Sequence, residues 1–339
     1  MFKCRAIRNR FLLLLAPILI FSCASQNPKV SSINAMNTFM TIKTYGKNSS
    51  LANDQILERI KTLESLFSTT DPNSELYKFN HFQNEIFKLS SETYNLLEYG
   101  VQNAYTFEGH FNPFLYPVIL EWGFTTGDYK IPTESEIFSC LQKTDFKKVQ
   151  FLGENKISKP QNMMADLGSL AKGFLTDESV KILQKNGIKS AILDFGGNIY
   201  AFGKKNNNSL WRVGIKNPFG QEIQLAVNIE NSAIITSGGY ERFFVGNDGK
   251  KYIHIFDAKT GRPVQNDLAS VTIICKNALY ADLLSTSLFI LGENDAIKYF
   301  KTHADFEMIL IKTDNSLLYT SGLENKIEIL GDFKSVQKI

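Results

Sequence analysis

Residues 165–177, ADLGSLAKGFLTD, form the segment on which the fold and function predictions turn. The small residues after Asp166, followed by apolar residues at helical spacing, predict the start of an amphipathic helix that Asp166 could cap. Lys172 lies in the first turn, where the helix dipole disfavours a cation. A phosphate-bearing ligand at this N-terminus would explain the lysine. Taken alone, however, the segment is better explained as an ordinary capped helix, because it matches neither a P-loop nor a dinucleotide fingerprint.

The N-terminal residues 1–22 have the pattern of a bacterial signal peptide. Four basic residues precede the apolar run of residues 11–21, which is too short to span a bilayer as a helix. Cys23 follows a small serine, as in a lipobox, so we predict cleavage before Cys23, lipidation of this cysteine and a polar tether over residues 23–33. An uncleaved membrane anchor is the alternative, and it would leave the protein on the same extracytoplasmic side.

The charge of the chain depends on whether the signal peptide is counted. Residues 1–22 hold four Lys/Arg and no Asp/Glu, so the remaining chain has 33 Lys/Arg and 34 Asp/Glu. This near-neutral balance lacks the basic footprint of a nucleic-acid-binding protein, and no nucleic-acid partner is expected. The sequence leaves open whether Cys140 and Cys275 form a disulfide.

The alternation of apolar and polar residues predicts a single α+β domain over residues 34–339. Helical periodicity appears at residues 51–68 and 90–107. The aromatic-rich residues 109–124 are interrupted by prolines and predict a pocket wall or a packed loop. The second half contains successive short strands with hairpin-like spacing, and helices return at residues 281–303. We therefore predict mixed and antiparallel sheets with flanking helices around a central cleft.

Further candidate site residues lie in the second half of the chain. The paired glycines in residues 193–203 and 234–244 allow close approach of the backbone to a ligand, although a simple hairpin explains each one separately. His254 precedes an acid-bearing turn, although a lone histidine on a strand is more often structural. Asp282 and Thr286 are four residues apart, on one face of a predicted helix. One carboxylate and one hydroxyl suit a hard cation such as Mg²⁺, whereas an aspartate near a helix N-terminus is the simpler explanation.

Together these segments resemble the ApbE family of FAD:protein FMN transferases. The resemblance covers roughly residues 34–320 and rests on five motifs in the family's order. These motifs are DLGSLAKGF (166–174), DFGGNIYAFG (194–203), TSGGYERFF (236–244), YIHIFDAKTGRP (252–263) and ADLLSTSLFILG (281–292).

The resemblance implies a role for each matching residue. Asp166, Lys172 and Met36 would contact FAD, and His254 is the implied catalytic base. The metal ligands would be Asp282, Thr286 and the backbone oxygen of Ser169. The other positions implied to border the flavin nucleotide are Thr70, His110, Phe111, Asn112 and Ile255.

The implied activity is Mg²⁺-dependent transfer of FMN from FAD to a Thr or Ser hydroxyl of a partner protein, with release of AMP. The implied partners are subunits of Rnf-type or sodium-pumping quinone reductase complexes, which face the same compartment as a lipoprotein of the inner membrane. This chain departs from the family pattern where Thr70 replaces an aromatic residue and Asn112 replaces a carboxylate. A hydrolase that cuts FAD to FMN and AMP is therefore a second hypothesis. A flavin- or solute-binding lipoprotein without activity is a third, and the Asp282/Thr286 pair argues against it.

Overall fold

The computed structural model describes residues 27–339. The predicted signal peptide and Cys23 lie outside the described residues. The α-helices in the described part of the chain are α1 Ser49–Phe67, α2 Glu75–His81, α3 Ser91–Thr106, α4 Tyr116–Glu121, α5 Glu134–Leu141, α6 Ala171–Lys185, α7 Ala278–Leu291 and α8 Glu293–Thr302.

The β-strands are short and are concentrated after residue 190. They are β1 Lys29–Ala35, β2 Thr38–Tyr45, β3 Ile86–Lys88, β4 Gln150–Phe151, β5 Lys156–Ser158, β6 Ser190–Phe195, β7 Asn198–Gly203, β8 Trp211–Lys216, β9 Ile223–Ile229, β10 Ser232–Gly238, β11 Phe243–Val245, β12 Lys251–Ile253, β13 Phe256–Asp257, β14 Arg262–Pro263, β15 Leu268–Cys275, β16 Glu307–Lys312, β17 Ser316–Tyr319, β18 Ile327–Ile329 and β19 Ser335–Lys338.

A nine-stranded sheet in the order β1-β2-β6-β7-β10-β15-β16-β17-β19 organises the domain. Its neighbouring strands pair antiparallel, except that β17 and β19 run parallel. The helices α1, α6 and α7 cover one face, and the three-stranded sheet β18-β9-β8 covers part of the other. β15 is buried on both faces, because Ile273 enters the helical core and Ile274 the core beneath β8 and β9. Burial on both faces explains why six of the eight residues of β15 are apolar.

The prediction of a single α+β domain is confirmed, and most of its elements are found where the sequence places them. The helices predicted at residues 51–68 and 90–107 are α1 and α3. Residues 109–124 pack as a loop and the short helix α4, and Trp122 and Phe124 join a small separate core. Gly196 and Gly197 make the simple hairpin turn between β6 and β7, both with positive φ.

The predicted boundary between tether and domain needs a correction. The sequence predicts a tether over residues 23–33, but residues 29–33 form most of strand β1, which pairs with β2 along its whole length. β1 is an edge strand in which the exposed Val30 is apolar and the half-buried Ser31 is polar, so its sequence lacks the apolar alternation that predicts a strand. Any tether after Cys23 therefore extends no further than residue 28.

Two further sequence questions are answered by the fold. Cys140 and Cys275 are buried free thiols and do not pair with each other. Within residues 27–339, no helix combines the length and apolar character needed to cross a bilayer.

Candidate active site

The DLG segment forms a turn before α6 and not a cap of the helix itself. The backbone N–H of Gly168 donates to Oδ1 of Asp166 at 2.8 Å, and α6 begins only at Ala171. The prediction that Asp166 could cap the helix was therefore wrong. The N–H of Asp166 donates to the carbonyl of Pro113 at 2.8 Å, which ties this turn to the loop before α4. Lys172 is the second residue of α6, so the placement of its cation in the first turn is confirmed.

Helices α6 and α7 cross in close contact at Gly173. A Cβ on this glycine would lie 2.5 Å from the Ala278 carbonyl oxygen and 2.7 Å from Cβ of Asp282, so only glycine fits without a shift. The N–H of Gly173 donates to Oδ2 of Asp282 at 2.8 Å. In a regular helix this N–H would donate to the carbonyl of Ser169, four residues earlier. Among the described residues, no backbone N–H donates to the Ser169 carbonyl, which is left as an acceptor at the helix N-terminus.

Thr286 belongs to a group of hydroxyls between α7 and β10. Its Oγ1 lies 3.2 Å from Oγ of Ser237, which in turn lies 2.9 Å from Oγ of Ser285. Asp282 and Thr286 are both on α7, and Asp282 is only 4% exposed. Asp282 thus faces the start of α6 through Gly173, and Thr286, one turn further along α7, faces the end of β10 through Ser237.

The buried Asp282 carboxyl is electrostatically coupled to Lys172. Burial raises the pKa of this carboxyl, and the positive charge of Lys172 lowers it. The nearby Asn198 amide also lowers the pKa, although its Nδ2 has no hydrogen-bond partner at bonding distance in the described chain. Oδ1 of Asp282 likewise has no partner at hydrogen-bonding distance among residues 27–339. A bound cation would stabilise a buried carboxylate that has one oxygen without a hydrogen-bond partner.

The environment of His254 keeps its imidazole neutral and fixes its tautomer. Burial lowers the pKa of His254 to about 4, and the positive charges of Arg242 and Lys172 act in the same direction. Nδ1 lies 3.1 Å from the carbonyl oxygen of Arg242, which can only accept a hydrogen bond. Nδ1 therefore carries the proton, and Nε2 has a lone pair that can accept another. This is the form that a general base requires.

Arg242 is a site residue that the sequence reasoning missed. Its carbonyl accepts from both the backbone N–H and the ring of His254, and its guanidinium charge lowers the pKa of Asp166. Burial is the larger effect at Asp166 and raises that pKa. The residue lies inside the TSGGYERFF motif, so the motif contained the signal. Arg242 and Lys172 give the site two cations.

His110 and Asn112 lie in the loop before α4, and both side chains form hydrogen bonds to other segments of the protein. Nδ1 of His110 lies 3.0 Å from Oδ1 of Asp257, and the N–H of Ala258 donates to the His110 carbonyl at 3.0 Å. Nδ2 of Asn112 donates to the Thr144 carbonyl at 2.7 Å, and its Oδ1 accepts from the backbone of the same loop. The His110 contacts hold the loop against the segment that follows His254, and the Asn112 contact holds it against Thr144. Flavin contacts at both residues stay predictions.

The remaining predicted contacts are more scattered. Met36 lies in the turn between β1 and β2, where its N–H donates to Oε1 of Glu64 at 2.6 Å. Thr70 is exposed in the loop after α1, and the Tyr116 hydroxyl donates to the neighbouring Thr69 carbonyl. Phe111 and Ile255 are 3% and 6% exposed, so their side chains belong to the core. The structure brings together Asp166, Ser169, Lys172, His254, Asp282 and Thr286, and the roles of the flavin-bordering positions stay predictions.

The donor set fits a hard cation. The described residues contain no group of three or more His, Cys, Asp or Glu side chains suited to a metal ion. The candidate ligands are instead a carboxylate with a free oxygen, a hydroxyl and an unpaired backbone carbonyl. Oxygen donors of this kind suit Mg²⁺, which usually retains positions for water or phosphate.

Two cavities lie outside the group of six candidate site residues, none of which lines either cavity. One of about 360 Å³ borders Asp257 and Arg262 in the turn after His254. A larger one of about 590 Å³ borders Ser232 and Cys275. Ser232 begins β10, whereas Ser237 lies near its end, so the larger cavity is at the opposite end of the sheet from the candidate site.

Comparison with known proteins agrees with this arrangement of fold and motifs. The model of the ApbE family matches residues 36–310. The FAD:protein FMN transferase of Treponema pallidum is 29% identical over 317 residues and covers 87% of each chain. Its counterpart in Vibrio cholerae is 28% identical over 320 residues, covering 91% of this chain and 95% of that one. The crystal structure of the ApbE protein from Thermotoga maritima has a TM-score of 0.82 at 28% identity, covering 88% of this chain and 99% of that chain.

The family match includes all six residues that the structure brings together. Asp166, the first, and Thr286, the last, both fall within residues 36–310. The likeness to the Thermotoga maritima protein extends over nearly the whole described domain. This chain belongs to the ApbE family.

Proposed function

We propose that this protein is an FAD:protein FMN transferase that moves FMN from FAD to a Thr or Ser hydroxyl of a partner protein. The hydroxyl oxygen forms a bond to the FMN phosphorus, the pyrophosphate P–O bond breaks and AMP leaves. The observation that carries the proposal is that one cation, Lys172, acts on two groups: its charge lowers the pKa of the neutral His254 and of the buried Asp282. The names of the relatives from Treponema pallidum and Vibrio cholerae support an FAD:protein FMN transferase.

The chain's own cations and backbone would bind the pyrophosphate. Lys172 lies at the N-terminus of α6, where the helix dipole already favours an anion, and Arg242 adds a second positive charge. Hydrogen bonds from charged groups to phosphate are stronger than those between neutral groups. An ionised Asp166 would repel the phosphates of FAD. We therefore assign Asp166 to shaping the turn and contacting the neutral part of FAD.

Asp282, Thr286 and the Ser169 carbonyl would hold Mg²⁺. The bound ion would polarise the pyrophosphate and offset the negative charge that develops on AMP. Gly173 positions this ligand set, because its N–H orients the Asp282 carboxylate and its lack of a side chain lets α6 and α7 meet.

His254 would take the proton of the attacking hydroxyl at Nε2. Its Nδ1–H remains bonded to the Arg242 carbonyl, which keeps the ring oriented as the proton moves. The Asp257 carboxylate is hydrogen-bonded to the His110 ring, so we assign Asp257 to positioning the segment after His254.

Hydrolysis of FAD to FMN and AMP is the second candidate. Thr70 is exposed and offers no aromatic surface at a position where the family often has one, so this loop provides less stacking for the flavin. A loosely covered site would admit water in place of the acceptor hydroxyl.

We further propose that Cys23 is diacylated and anchors the protein to the inner membrane on the periplasmic side. The n-region, the apolar run and the cysteine of residues 1–23 support this placement. The acceptors would be subunits of Rnf-type or sodium-pumping quinone reductase complexes that expose a Thr or Ser to the same compartment.

Incubation of the protein with FAD, Mg²⁺ and a Thr-containing acceptor peptide tests the reaction. We expect covalent FMN on the peptide and one AMP for each flavin transferred. A matched peptide with Val in place of Thr is the control, because it has no hydroxyl and should remain unmodified. AMP released at the same rate with either peptide would indicate the hydrolase, and unchanged FAD would contradict both reactions.

A further inference from the structure

One end of the nine-stranded sheet carries a lysine-rich surface, here called the lysine end. Four chain segments without an acidic residue meet there, residues 27–31, 43–51, 183–192 and 201–211. A fifth, residues 230–232, adds the exposed Glu230, and its Asn231 accepts from the Gly203 N–H. The lysines that define this surface are Lys29, Lys47, Lys185, Lys189, Lys204 and Lys205. All except the half-buried Lys205 are exposed, and none forms an ion pair with another described residue.

The strand register shows that these segments are neighbours. Lys29 at the start of β1 pairs with Thr44, Tyr45 pairs with Ser190, and Ser190 pairs with Gly203. The four strands therefore present their ends side by side, about 4.8 Å apart. Nδ2 of Asn48 donates to the Asn186 carbonyl at 2.9 Å, which brings the end of α6 to the same surface.

The chain enters the domain at the lysine end. β1 begins at Lys29, and the predicted lipid-carrying Cys23 lies six residues earlier. Six residues span at most about 20 Å when fully extended. Because residues 29–33 are part of the sheet and not of a tether, the connection is too short to hold this surface far from an anchored membrane.

We propose that the lysine end docks on the anionic phospholipid surface of the membrane. This inference rests on the proposed anchoring through Cys23, and it adds an orientation that a lipid anchor alone does not give. Clustered lysines are attracted to anionic headgroups over a distance of about a Debye length, roughly 8 Å at physiological ionic strength. The short connection keeps the domain within reach of that attraction.

The proposed orientation points the active site away from the membrane. β6 starts at the lysine end with Ser190 and finishes beside the Gly196–Gly197 turn, and β7 returns from Asn198, which lies near Asp282. A strand of six residues is about 20 Å long. FAD and the acceptor hydroxyl would therefore meet about one strand length above the headgroups, where a domain projecting from a membrane complex could reach the site.

Acetylation of surface amines provides the test. The full-length protein, purified in detergent, is reconstituted in phosphatidylglycerol/phosphatidylethanolamine vesicles and, separately, in phosphatidylcholine/phosphatidylethanolamine vesicles. Mass spectrometry then measures the acetylation rate of each lysine. We expect the six lysines to react at least about threefold more slowly on the phosphatidylglycerol vesicles, with the difference lost at high salt. Lys61, Lys88, Lys298 and Lys301, which are exposed elsewhere, should react equally on both.

Charge reversal adds a matched control. The combined substitution of Lys29, Lys47, Lys189 and Lys204 by Glu should abolish the difference at the two remaining reporters, Lys185 and Lys205. The same change at Lys61, Lys88, Lys298 and Lys301 should preserve it, and flavin transfer to a soluble acceptor peptide should be normal in both variants.

The outcomes separate this inference from the anchor on which it rests. Equal rates at the lysine end on both vesicle types, with the chain still bound, would overturn the docking surface and leave the anchor intact. Protection by phosphatidylglycerol vesicles in a chain whose Cys23 is unmodified would support the surface and contradict the anchor. A chain that binds no phosphatidylglycerol vesicle contradicts the docking surface, whatever the state of Cys23.

Discussion

Helices α6 and α7 each donate backbone N–H groups to an aspartate of the other. The two contacts differ in whether a carboxylate oxygen is left without a hydrogen-bond partner. Asp177 of α6 accepts from the N–H groups of Ala278 and Leu279, at 2.8 and 3.0 Å, at the start of α7. Asp282 of α7 accepts from Gly173, at 2.8 Å, in the first turn of α6. The pair is a reciprocal exchange of carboxylates between two helix N-termini.

The difference lies in the second oxygen. Asp177 uses both carboxylate oxygens on backbone donors, and the side chain of Asn277 caps the next N–H, so the start of α7 is satisfied internally. Asp282 uses one oxygen, and α6 has no side-chain cap. The same interaction therefore completes a helix at one point and, among the described residues, leaves the Lys172 N–H and a carboxylate oxygen available at the other. Unused capacity, and not the presence of an aspartate, distinguishes the candidate site.

Among substitutions at the candidate site, replacing His254 should lower the rate of flavin transfer the most. His254→Asn removes the proton acceptor, and we expect transfer to fall by about 10²–10⁴-fold with FAD still bound. Single-turnover rates and a separate FAD titration measure the two properties. His303→Asn, at the exposed end of α8, is the control and should be normal. Near-normal transfer by the His254 variant would move the role of the base elsewhere.

Asp282→Asn sharpens the comparison because it keeps an acceptor for the Gly173 N–H and removes the charge. We expect transfer to fall by about 10²–10³-fold, and FAD affinity should no longer depend on Mg²⁺. Asp282→Ala is less informative, since it also leaves a buried N–H without a partner. Flavin transfer and FAD titrations with and without Mg²⁺ measure the effect. If the Asn variant transfers FMN normally, Asp282 is structural, like Asp177.

Lys172→Ala should weaken FAD binding without unfolding the protein. A charge-assisted hydrogen bond to phosphate contributes about 1.5–3 kcal/mol, so the dissociation constant should rise by about 10–150-fold. Lys181→Ala is the matched control on the same helix, because Lys181 is exposed and pairs only with Glu178 among the described residues. Calorimetric titration that finds equal affinities for the two variants would remove Lys172 from the FAD site.

These expectations show how far the sequence could lead. The motifs pointed to the candidate residues that the structure brings together, because each motif is contiguous in the sequence. The sequence could not predict that Gly173 donates to Asp282, 109 residues away, or that the Arg242 carbonyl fixes the His254 tautomer, since both depend on how distant segments meet. The strands after residue 190 were predictable from local hairpin signals, whereas the polar edge strand β1 gave no such pattern.

The pH dependence of transfer tests the lowered pKa of His254. Because burial lowers the pKa of His254 to about 4, the imidazole is already the neutral base across the range where an ordinary histidine titrates. The rate should therefore show no inflection near the usual histidine pKa of about 6.5 and should fall only as the pH approaches 4. A profile of kcat/KM against pH is the measurement. A clear inflection near 6.5 that is lost in His254→Asn would show that the imidazole is more exposed to water in the working enzyme.

Replacing Asp177 should have the smallest effect on the site, although it is costly to the fold. Asp177→Ala leaves two N–H groups at the start of α7 without their acceptor, which should lower the free energy of unfolding by about 1–3 kcal/mol. Asp177→Asn retains one acceptor oxygen and should lose less. Transfer per folded molecule should remain close to that of the unsubstituted protein, because Asp282 and Thr286 lie one and two turns further along α7, past the end that Asp177 satisfies. Denaturant unfolding and single-turnover transfer, measured on the same samples, separate the two properties. If Asp177→Ala lost as much transfer as Asp282→Asn, the two carboxylates would be functionally equivalent, and the distinction between a satisfied and an available helix N-terminus would not hold.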